Sequence, residues 1–232
     1  MRIAVSWSTG KDSALVLHEL ISDRQEVVCL LTTLTESYDR VTMHGVRREL
    51  LLQQAESLGV ELMEVWIPPN ASNEVYDRRM SDALMRLRRD YGVEAIAFGD
   101  IWLEDVRRYR EERMRGTGVE LIFPLWGRKP LDVVERVVRL GYKAKICVVD
   151  GSLADPAALL GRELNEELLR SWFEGIDPAG ERGEFHTFVY DGPTFRFPVR
   201  FEVGRVVVRE GRFHYVDLLP IPRDLNSRPE GF

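Results

Sequence analysis

The stretch Ser8-Thr9-Gly10-Lys11-Asp12-Ser13 decides the fold, because it separates a β-prone run from a helical one. Residues 2–7 are predicted to form a strand and residues 14–21 a helix. A glycine-containing loop that enters a helix N-terminus directs backbone N–H groups outward, where the helix dipole also favours an anion. Lys11 adds a positive charge, and the two serines add hydroxyl donors. The sequence therefore predicts an anion site at the start of the first helix.

This loop differs from the usual mononucleotide P-loop. That pattern needs a glycine five positions before Gly10, where Val5 stands, and a serine or threonine after the lysine, where Asp12 stands. A carboxylate would repel phosphate, so Asp12 is predicted to be a magnesium ligand or to orient the loop. An ordinary strand-to-helix turn would explain the serines and the glycine, but it does not explain the pair formed by Lys11 and Asp12.

A helical stretch, a glycine and a short β-prone run recur along the chain. Glycine after a helix readily takes the left-handed conformation that residues with a β-carbon resist. The glycines are Gly59, Gly92, Gly118 and Gly141, and the predicted strands after them span residues 62–67, 95–98, 121–123 and 144–149. Strands that alternate with helices predict an α/β fold, with a Rossmann-like, mainly parallel sheet and helices on both faces.

Ligands of such sheets bind at the carboxyl ends of the strands. This rule places the loops after Trp7, Leu31 and Phe98 along one edge of the predicted sheet.

The sequence pattern changes after about residue 150, which predicts a smaller C-terminal α+β domain. We expect a helix over residues 159–173, a glycine-rich loop over 177–183 and a strand over 195–203. Residues 206–209 and 213–218 are expected to form a hairpin. The predicted domains are residues 1–125 and 126–232, with a loose tail from about residue 219.

Composition excludes several classes of protein. The net charge of −6 gives no basic field for a nucleic-acid partner. No uncharged apolar run approaches 18 residues, so no membrane partner is expected. Cys29 and Cys147 each lie in an apolar run and are predicted to be buried hydrophobic residues. These features predict a cytoplasmic protein, and they leave homo-oligomer formation open.

The phosphate loop is similar to the S-G-G-K-D-S loop of the ATP pyrophosphatases, a branch of the adenine-nucleotide α-hydrolases, with Thr9 at a glycine position. Three further stretches resemble the diphthine–ammonia ligase family, and the resemblance covers roughly residues 2–218. They are Phe98-Gly99-Asp100-Ile101-Trp102-Leu103-Glu104-Asp105-Val106-Arg107, Pro124-Leu125-Trp126-Gly127-Arg128 and Gly180-Glu181-Arg182-Gly183-Glu184-Phe185-His186-Thr187-Phe188-Val189.

The resemblance implies an enzyme that uses ATP and Mg²⁺ to adenylate a carboxylate substrate similar to diphthine. Ammonia then replaces AMP and leaves an amide, and pyrophosphate is released in the first step. The implied acceptor in this family is a modified histidine on elongation factor two. Glutamine-dependent relatives carry an extra domain with a nucleophilic cysteine, which this chain lacks. We therefore expect free ammonia or another protein to supply the nitrogen.

The candidate site residues follow from the loop and from the resemblance. Glu181 and Glu184 could hold an amine or a metal, and His186 could accept a proton, unless their loop is only a surface turn. Asp100 could contact ribose or magnesium, or cap the next helix. The predicted catalytic residues are Lys11, Asp12, Glu181, Glu184 and His186; the predicted nucleotide-binding residues are Ser8, Thr9, Gly10, Lys11, Ser13, His44, Arg47, Gly99 and Asp100; the predicted metal ligand is Asp12.

Two other functions share the phosphate loop. A regulator could bind ATP or AMP without turnover. Sulfur transfer to tRNA would typically need a reactive cysteine and a basic face, and the sequence offers neither. We therefore favour the amide-forming ligase.

Overall fold

A six-stranded sheet forms the first part of the protein, whose computed structural model describes residues 1–172 and 175–222. Its strands are β1 (Arg2–Ser6), β2 (Glu26–Thr35), β3 (Arg40–Val41), β4 (Glu61–Ile67), β5 (Ala95–Ala97) and β6 (Glu120–Ile122). The strands β4, β2, β1, β5 and β6 lie side by side in that order and all pair in parallel. The short β3 pairs antiparallel with the end of β2. The predicted parallel sheet is therefore confirmed.

Helices cover both faces of this sheet. They are α1 (Lys11–Ser22), α2 (Arg48–Leu58), α3 (Asn73–Tyr91), α4 (Glu104–Met114) and α5 (Pro130–Arg139). The two short helices that follow, α6 (Pro156–Leu159) and α7 (Glu166–Arg170), lie by the later strand β7 (Lys143–Asp150) and by α5 instead. Val5 of β1 belongs to one core cluster with Leu15 of α1, whereas its neighbour Ala4 belongs to a second cluster with Leu84 of α3. Successive residues of a strand point to opposite faces, so the two clusters are the two sides of the sheet.

Glycines end two of these helices as predicted. Gly59 and Gly92 follow α2 and α3 with φ values of 66° and 62°, in the left-handed region. Each glycine lets the chain turn directly into the next strand.

A four-stranded antiparallel sheet forms the second part of the protein. Its strands are β7 (Lys143–Asp150), β8 (Phe185–Asp191), β9 (Phe201–Arg209) and β10 (Phe213–Pro220), in the order β8-β7-β10-β9. The predicted hairpin is confirmed as β9 and β10, and the C-terminal part is α+β as expected. Phe188 of β8 shares the core cluster that contains Leu15, so this sheet packs against the α1 side of the first one.

The predicted helix over residues 159–173 is wrong. Two short helices, α6 and α7, replace it, and Phe173 lies outside the described residues. Between them, the Gly161 and Leu164 N–H groups donate to the Ile146 and Ala144 carbonyls of β7. Pairing with a neighbouring strand therefore outweighs local helix propensity here.

The predicted strand over residues 195–203 is also wrong, because β9 begins only at Phe201. Pro193 and Pro198 interrupt the segment before it, and proline cannot donate to a ladder. This segment lies against the end of α2, where the Arg196 N–H donates to the Ser57 carbonyl oxygen.

Two segments that were predicted to be a loop and a tail belong to strands. β2 continues to Thr35, so no loop follows Leu31. The tail predicted from about residue 219 is part of β10 as far as Pro220, and residues 223–232 lie outside the described residues.

Both cysteines are buried and free, as predicted. Burial raises the pKa of each thiol to about 12. Neither thiol supplies a thiolate near neutral pH, so neither behaves as a nucleophile.

Candidate active site

The phosphate loop joins β1 to α1 at the carboxyl edge of the parallel sheet. Gly10 precedes α1 and provides no side-chain cap for the helix. The Ser8 and Ser13 hydroxyl oxygens lie 3.2 Å apart, and Ser13 Oγ donates to the Gly10 carbonyl oxygen. The serines therefore shape the loop, while the start of α1 keeps the positive end of its dipole.

Thr9 takes an unfavourable backbone conformation, with φ at 73°. A β-branched residue in the left-handed region is a true outlier, whereas glycine adopts it freely. Its side chain is fully buried, and Thr9 Oγ1 has no hydrogen-bond partner among the described residues. The exception in the phosphate-loop pattern is thus also its most strained position.

Lys11 is almost fully buried, with 3% of its surface exposed. Its ammonium group donates to Asp12 Oδ2 at 2.8 Å and to the Ala179 carbonyl oxygen. It also lies 5.4 Å from the centre of the Phe185 ring. The buried Lys11 ammonium therefore lies next to a helix N-terminus, and Asp12 balances part of its charge.

Strand β8 of the second sheet covers the loop. Thr187 Oγ1 accepts a hydrogen bond from the Lys11 N–H at 3.0 Å, and the Val189 N–H donates to the Thr9 carbonyl oxygen. The Gly10 position is tight, since a β-carbon there would lie 2.7 Å from His44 Cε1. The phosphate loop is therefore completed by the C-terminal half of the chain.

Two histidines lie beside the loop, His186 in β8 and His44 in the segment between β3 and α2. The rings of His44 and His186 have their centres 4.5 Å apart. His44 Nδ1 lies 3.0 Å from the Thr187 carbonyl oxygen, which can only accept, so His44 donates from Nδ1. Burial lowers the pKa of His186 to about 4 and that of His44 well below its ordinary value. Both imidazoles are therefore neutral at physiological pH.

Four carboxylates form a cluster on the other side: Asp12, from the loop itself, with Asp100, Asp177 and Glu181. Burial raises the pKa of Asp12; Lys11 opposes this shift, and Asp100 and Asp177 add to it. Burial also raises the pKa of Glu181 to about 7, and the negative charges of Asp12 and Asp100 add to that shift. Glu181 Oε1 accepts a hydrogen bond from the Ile101 N–H at 2.8 Å. This side of the loop can accept a proton near neutral pH.

Asp100 and Gly99 join this cluster from the end of β5. Arg110 donates to both oxygens of Asp100, at 2.7 and 3.1 Å, and α4 begins after Leu103, so Asp100 does not cap that helix. A β-carbon at Gly99 would lie 3.0 Å from Asp12 Cβ. Glycine at this position lets β5 approach the start of α1 closely.

Two other candidates point away from the loop. Glu184 is buried and accepts from the Asp177 and Arg182 N–H groups, so it holds the glycine-rich loop in shape. Arg47 forms a two-bond pair with Asp217 of β10, at 2.7 and 3.0 Å. Like Asp100, which Arg110 engages, these two residues have their polar groups held by partners outside the phosphate loop.

A cavity of about 650 Å³ adjoins the histidine side. One row of the antiparallel sheet forms its floor, running from His186 through Val148 and Tyr215 to Val207. Residues 35–45 form the opposite wall. Such a volume is typical of a small-molecule or side-chain pocket.

Three residues of the site were missed by the sequence analysis. Thr187 was quoted in a motif but given no role, and Asp177 was counted only as part of a loop. Gln54 is buried in α2 and touches Trp7, Thr9 and Val189. A polar residue among apolar helix positions was the available signal for Gln54.

The structure gives no preformed metal cage within residues 1–172 and 175–222, where no group of three or more His, Cys, Asp or Glu residues is placed to hold a metal ion. Asp12 Oδ1 is buried and has no hydrogen-bond partner in this part of the chain. Mg²⁺ usually binds one or two carboxylates together with substrate phosphates, so a single free oxygen beside the loop suits it. Over the same residues, no helix has the length and apolar character needed to cross a membrane.

The chain is similar to known proteins over nearly its full length. Residues 1–121 match the diphthamide synthase N-terminal domain, and residues 129–216 match the diphthamide synthase C-terminal domain. Human diphthine–ammonia ligase is 25% identical over 231 residues, which cover 90% of this chain and 85% of the human one. The zebrafish (Danio rerio) diphthine–ammonia ligase is 23% identical and covers 90% and 89%.

Among solved structures, a predicted subunit of tRNA methyltransferase from Methanocaldococcus jannaschii matches with a TM-score of 0.43 and 16% identity. The match covers 63% of this chain and 80% of that one.

Proposed function

The chain belongs to the diphthamide synthase family of ATP-dependent ligases, and on this basis we propose that it converts a carboxylate similar to diphthine into an amide, with ammonia as the nitrogen donor. The observation that carries the proposal is the buried Lys11 ammonium at the start of α1, where Gly10 provides no side-chain cap. Both groups favour a polyphosphate at this point. We also assign the reaction to the cytoplasm, the compartment that the sequence predicts.

The first step activates the carboxylate. One of its oxygens forms a bond with the α-phosphorus of ATP, and the bond between that phosphorus and the bridging oxygen to the β-phosphate breaks. Pyrophosphate leaves with the electron pair. The N–H groups at the start of α1 and the Lys11 ammonium stabilise the charge that develops there, and they do so without rearranging during the reaction.

Magnesium supports this step by neutralising charge on the phosphates when it is bound. Asp12 would hold it through Oδ1, the oxygen that Lys11 does not engage. The remaining ligands would come from the phosphates and water.

In the second step ammonia attacks the acyl carbon, the bond to the AMP oxygen breaks, and one proton must leave the nitrogen. Glu181 is the group suited to accept this proton, because its pKa of about 7 keeps part of it ionised at neutral pH. The neutral histidines on the other side are weaker bases, since the pKa of His186 is about 4. We therefore assign the ammonia to the carboxylate side of the loop.

The acceptor is assigned to the cavity on the histidine side. Its floor leads to His186, one residue from Thr187, which touches the phosphate loop. Val207→Trp would fill the far end of the cavity. We expect the KM for the acceptor to rise at least tenfold while the Kd for ATP stays within twofold; a weaker Kd for ATP would instead show that the cavity holds the adenosine.

Lys11→Ala tests the proposal as a whole. Removing one preorganised donor typically costs about 10²–10³ in rate, so AMP formation from ATP, ammonia and elongation factor two that carries diphthine should fall by that factor. Lys143→Ala, an exposed lysine on β7, is the matched control and should keep full activity. The proposal fails if the unmodified protein makes no amide on this acceptor, or if Lys11→Ala releases AMP at the normal rate.

A further inference from the structure

Gln54 is a fully buried amide at the centre of three contacts. The Trp7 ring N–H donates to its Oε1 at 2.9 Å. Its Nε2 donates to the carbonyl oxygens of Thr9, at 3.1 Å, and Val189, at 2.5 Å. One side chain of α2 therefore joins the end of β1, the phosphate loop and β8.

Thr9 receives two hydrogen bonds on its carbonyl oxygen, from Gln54 Nε2 and from the Val189 N–H. Its φ of 73° is unfavourable for a β-branched residue. Such a conformation persists only where the surrounding structure fixes it. Both contacts that fix the Thr9 carbonyl also involve Gln54 or the strand residue that Gln54 binds.

We propose that Gln54 is a positioning residue that holds Thr9 in the left-handed conformation and so keeps the phosphate loop in its ATP-binding shape. It touches no reacting atom and acts through the Thr9 carbonyl. The link to Val189 means that the same amide fixes β8 over the loop. Only the statement about ATP rests on the proposed function; the statement about loop shape does not.

The shape of the loop can be measured without nucleotide by hydrogen exchange. The Val189 N–H donates to Thr9 and the Lys11 N–H donates to Thr187, so both amides report whether the loop is in place. In Gln54→Met we expect the protection of both backbone N–H groups against exchange to fall about tenfold or more. The reason is that the substitution removes the side-chain hydrogen bonds to Thr9 and Val189. Gln53→Met, its neighbour on the same helix, is the control and should leave protection unchanged.

Combining Gln54→Met with Thr9→Gly distinguishes a positioning role from a packing role, because glycine adopts positive φ without a penalty. We expect Thr9→Gly/Gln54→Met to recover most of the lost protection at Lys11. If Gln54 only filled space in the core, a glycine at position 9 would not restore this protection. The inference is overturned if Gln54→Met protects both amides normally, or if the glycine restores nothing.

A second variant covers the case in which Gln54→Met does not fold. In Gln54→Glu the buried carboxyl can donate to Thr9 only while protonated, so protection at Lys11 should fall as the pH rises through the pKa of Glu at this position. Protection that does not change with pH in a folded Gln54→Glu contradicts the inference.

Titration calorimetry with ATP then tests the statement that the loop shape supports ATP binding. We expect the Kd for ATP to weaken about tenfold in Gln54→Met and to recover in the double variant. If the amides behave as described but the unmodified protein binds no ATP, the positioning role stands and the proposed function falls. If ATP binds normally in Gln54→Met, the link between loop shape and ATP binding is wrong.

Discussion

The two sides of the phosphate loop differ in the chemistry that burial produces. On one side burial raises the pKa of Glu181 to about 7, and on the other it lowers the pKa of His186 to about 4. Desolvation disfavours the charged form in both cases, so it acts in opposite directions on an acid and on a base. The carboxylate side keeps a group that titrates near neutral pH, while the histidine side stays neutral next to a cavity.

The two sides also depend on pH in opposite directions. Glu181 is protonated more readily in the folded protein, so its contribution to stability weakens as pH rises from its ordinary value of 4.5 through about 7. His186 resists protonation in the folded protein, so stability weakens as pH falls from 6.5 towards 4. Where the two ranges overlap, from pH 4.5 to pH 6.5, neither group imposes its full cost.

Gly10→Ala would force the phosphate loop against a residue of the histidine side. The backbone allows alanine, with φ at −98°, but the new β-carbon would lie 2.7 Å from His44 Cε1. We expect the Kd for ATP, measured by calorimetry, to weaken on the order of 10²-fold, because the loop or His44 must move. Adding His44→Ala makes room and should recover part of the affinity; equal weakness in the double variant would show that the clash is not the cause.

Glu181→Gln would remove the titrating group from the carboxylate side. General base catalysis typically contributes about 10²–10⁴ in rate, so we expect kcat to fall at least a hundredfold. The rate of the unmodified protein should rise with pH through about 7, as the carboxylate forms, and this rise should vanish in the variant. Glu120→Gln, on an exposed carboxylate of β6, should retain both the rate and the pH profile.

His186→Phe tests the histidine side, and we expect it to have the smallest effect of these substitutions. The unmodified protein should lose about 2 kcal/mol of stability through His186 between pH 7 and pH 5, because the unfolded imidazole is protonated there and the folded one is not. Urea unfolding at the two pH values should show a smaller loss in the variant. An equal loss in both proteins would mean that His186 is charged in the folded state.

Local sequence patterns were sufficient for most of the first half of the fold. The hydrophobic period and the glycines at helix ends depend only on neighbouring residues. Gly59 and Gly92 could therefore mark where helices end and the next strands follow. The same patterns failed at residues 159–173 and 195–203, where hydrogen bonds to β7 and to Ser57 decide the conformation. These contacts join residues that are distant in the chain, and no local period reports them.

The sequence by itself determined the phosphate loop, its lysine and its place between a strand and a helix, because these depend on six adjacent residues. Tertiary structure alone decided that β8 covers the loop, that Gln54 fixes Thr9, and that Glu184 and Arg47 have other partners. It also decided the pKa values of Glu181 and His186. Burial and charge at a site come from residues that folding brings together, so the loop predicts a phosphate ligand while the packing around it sets the chemistry.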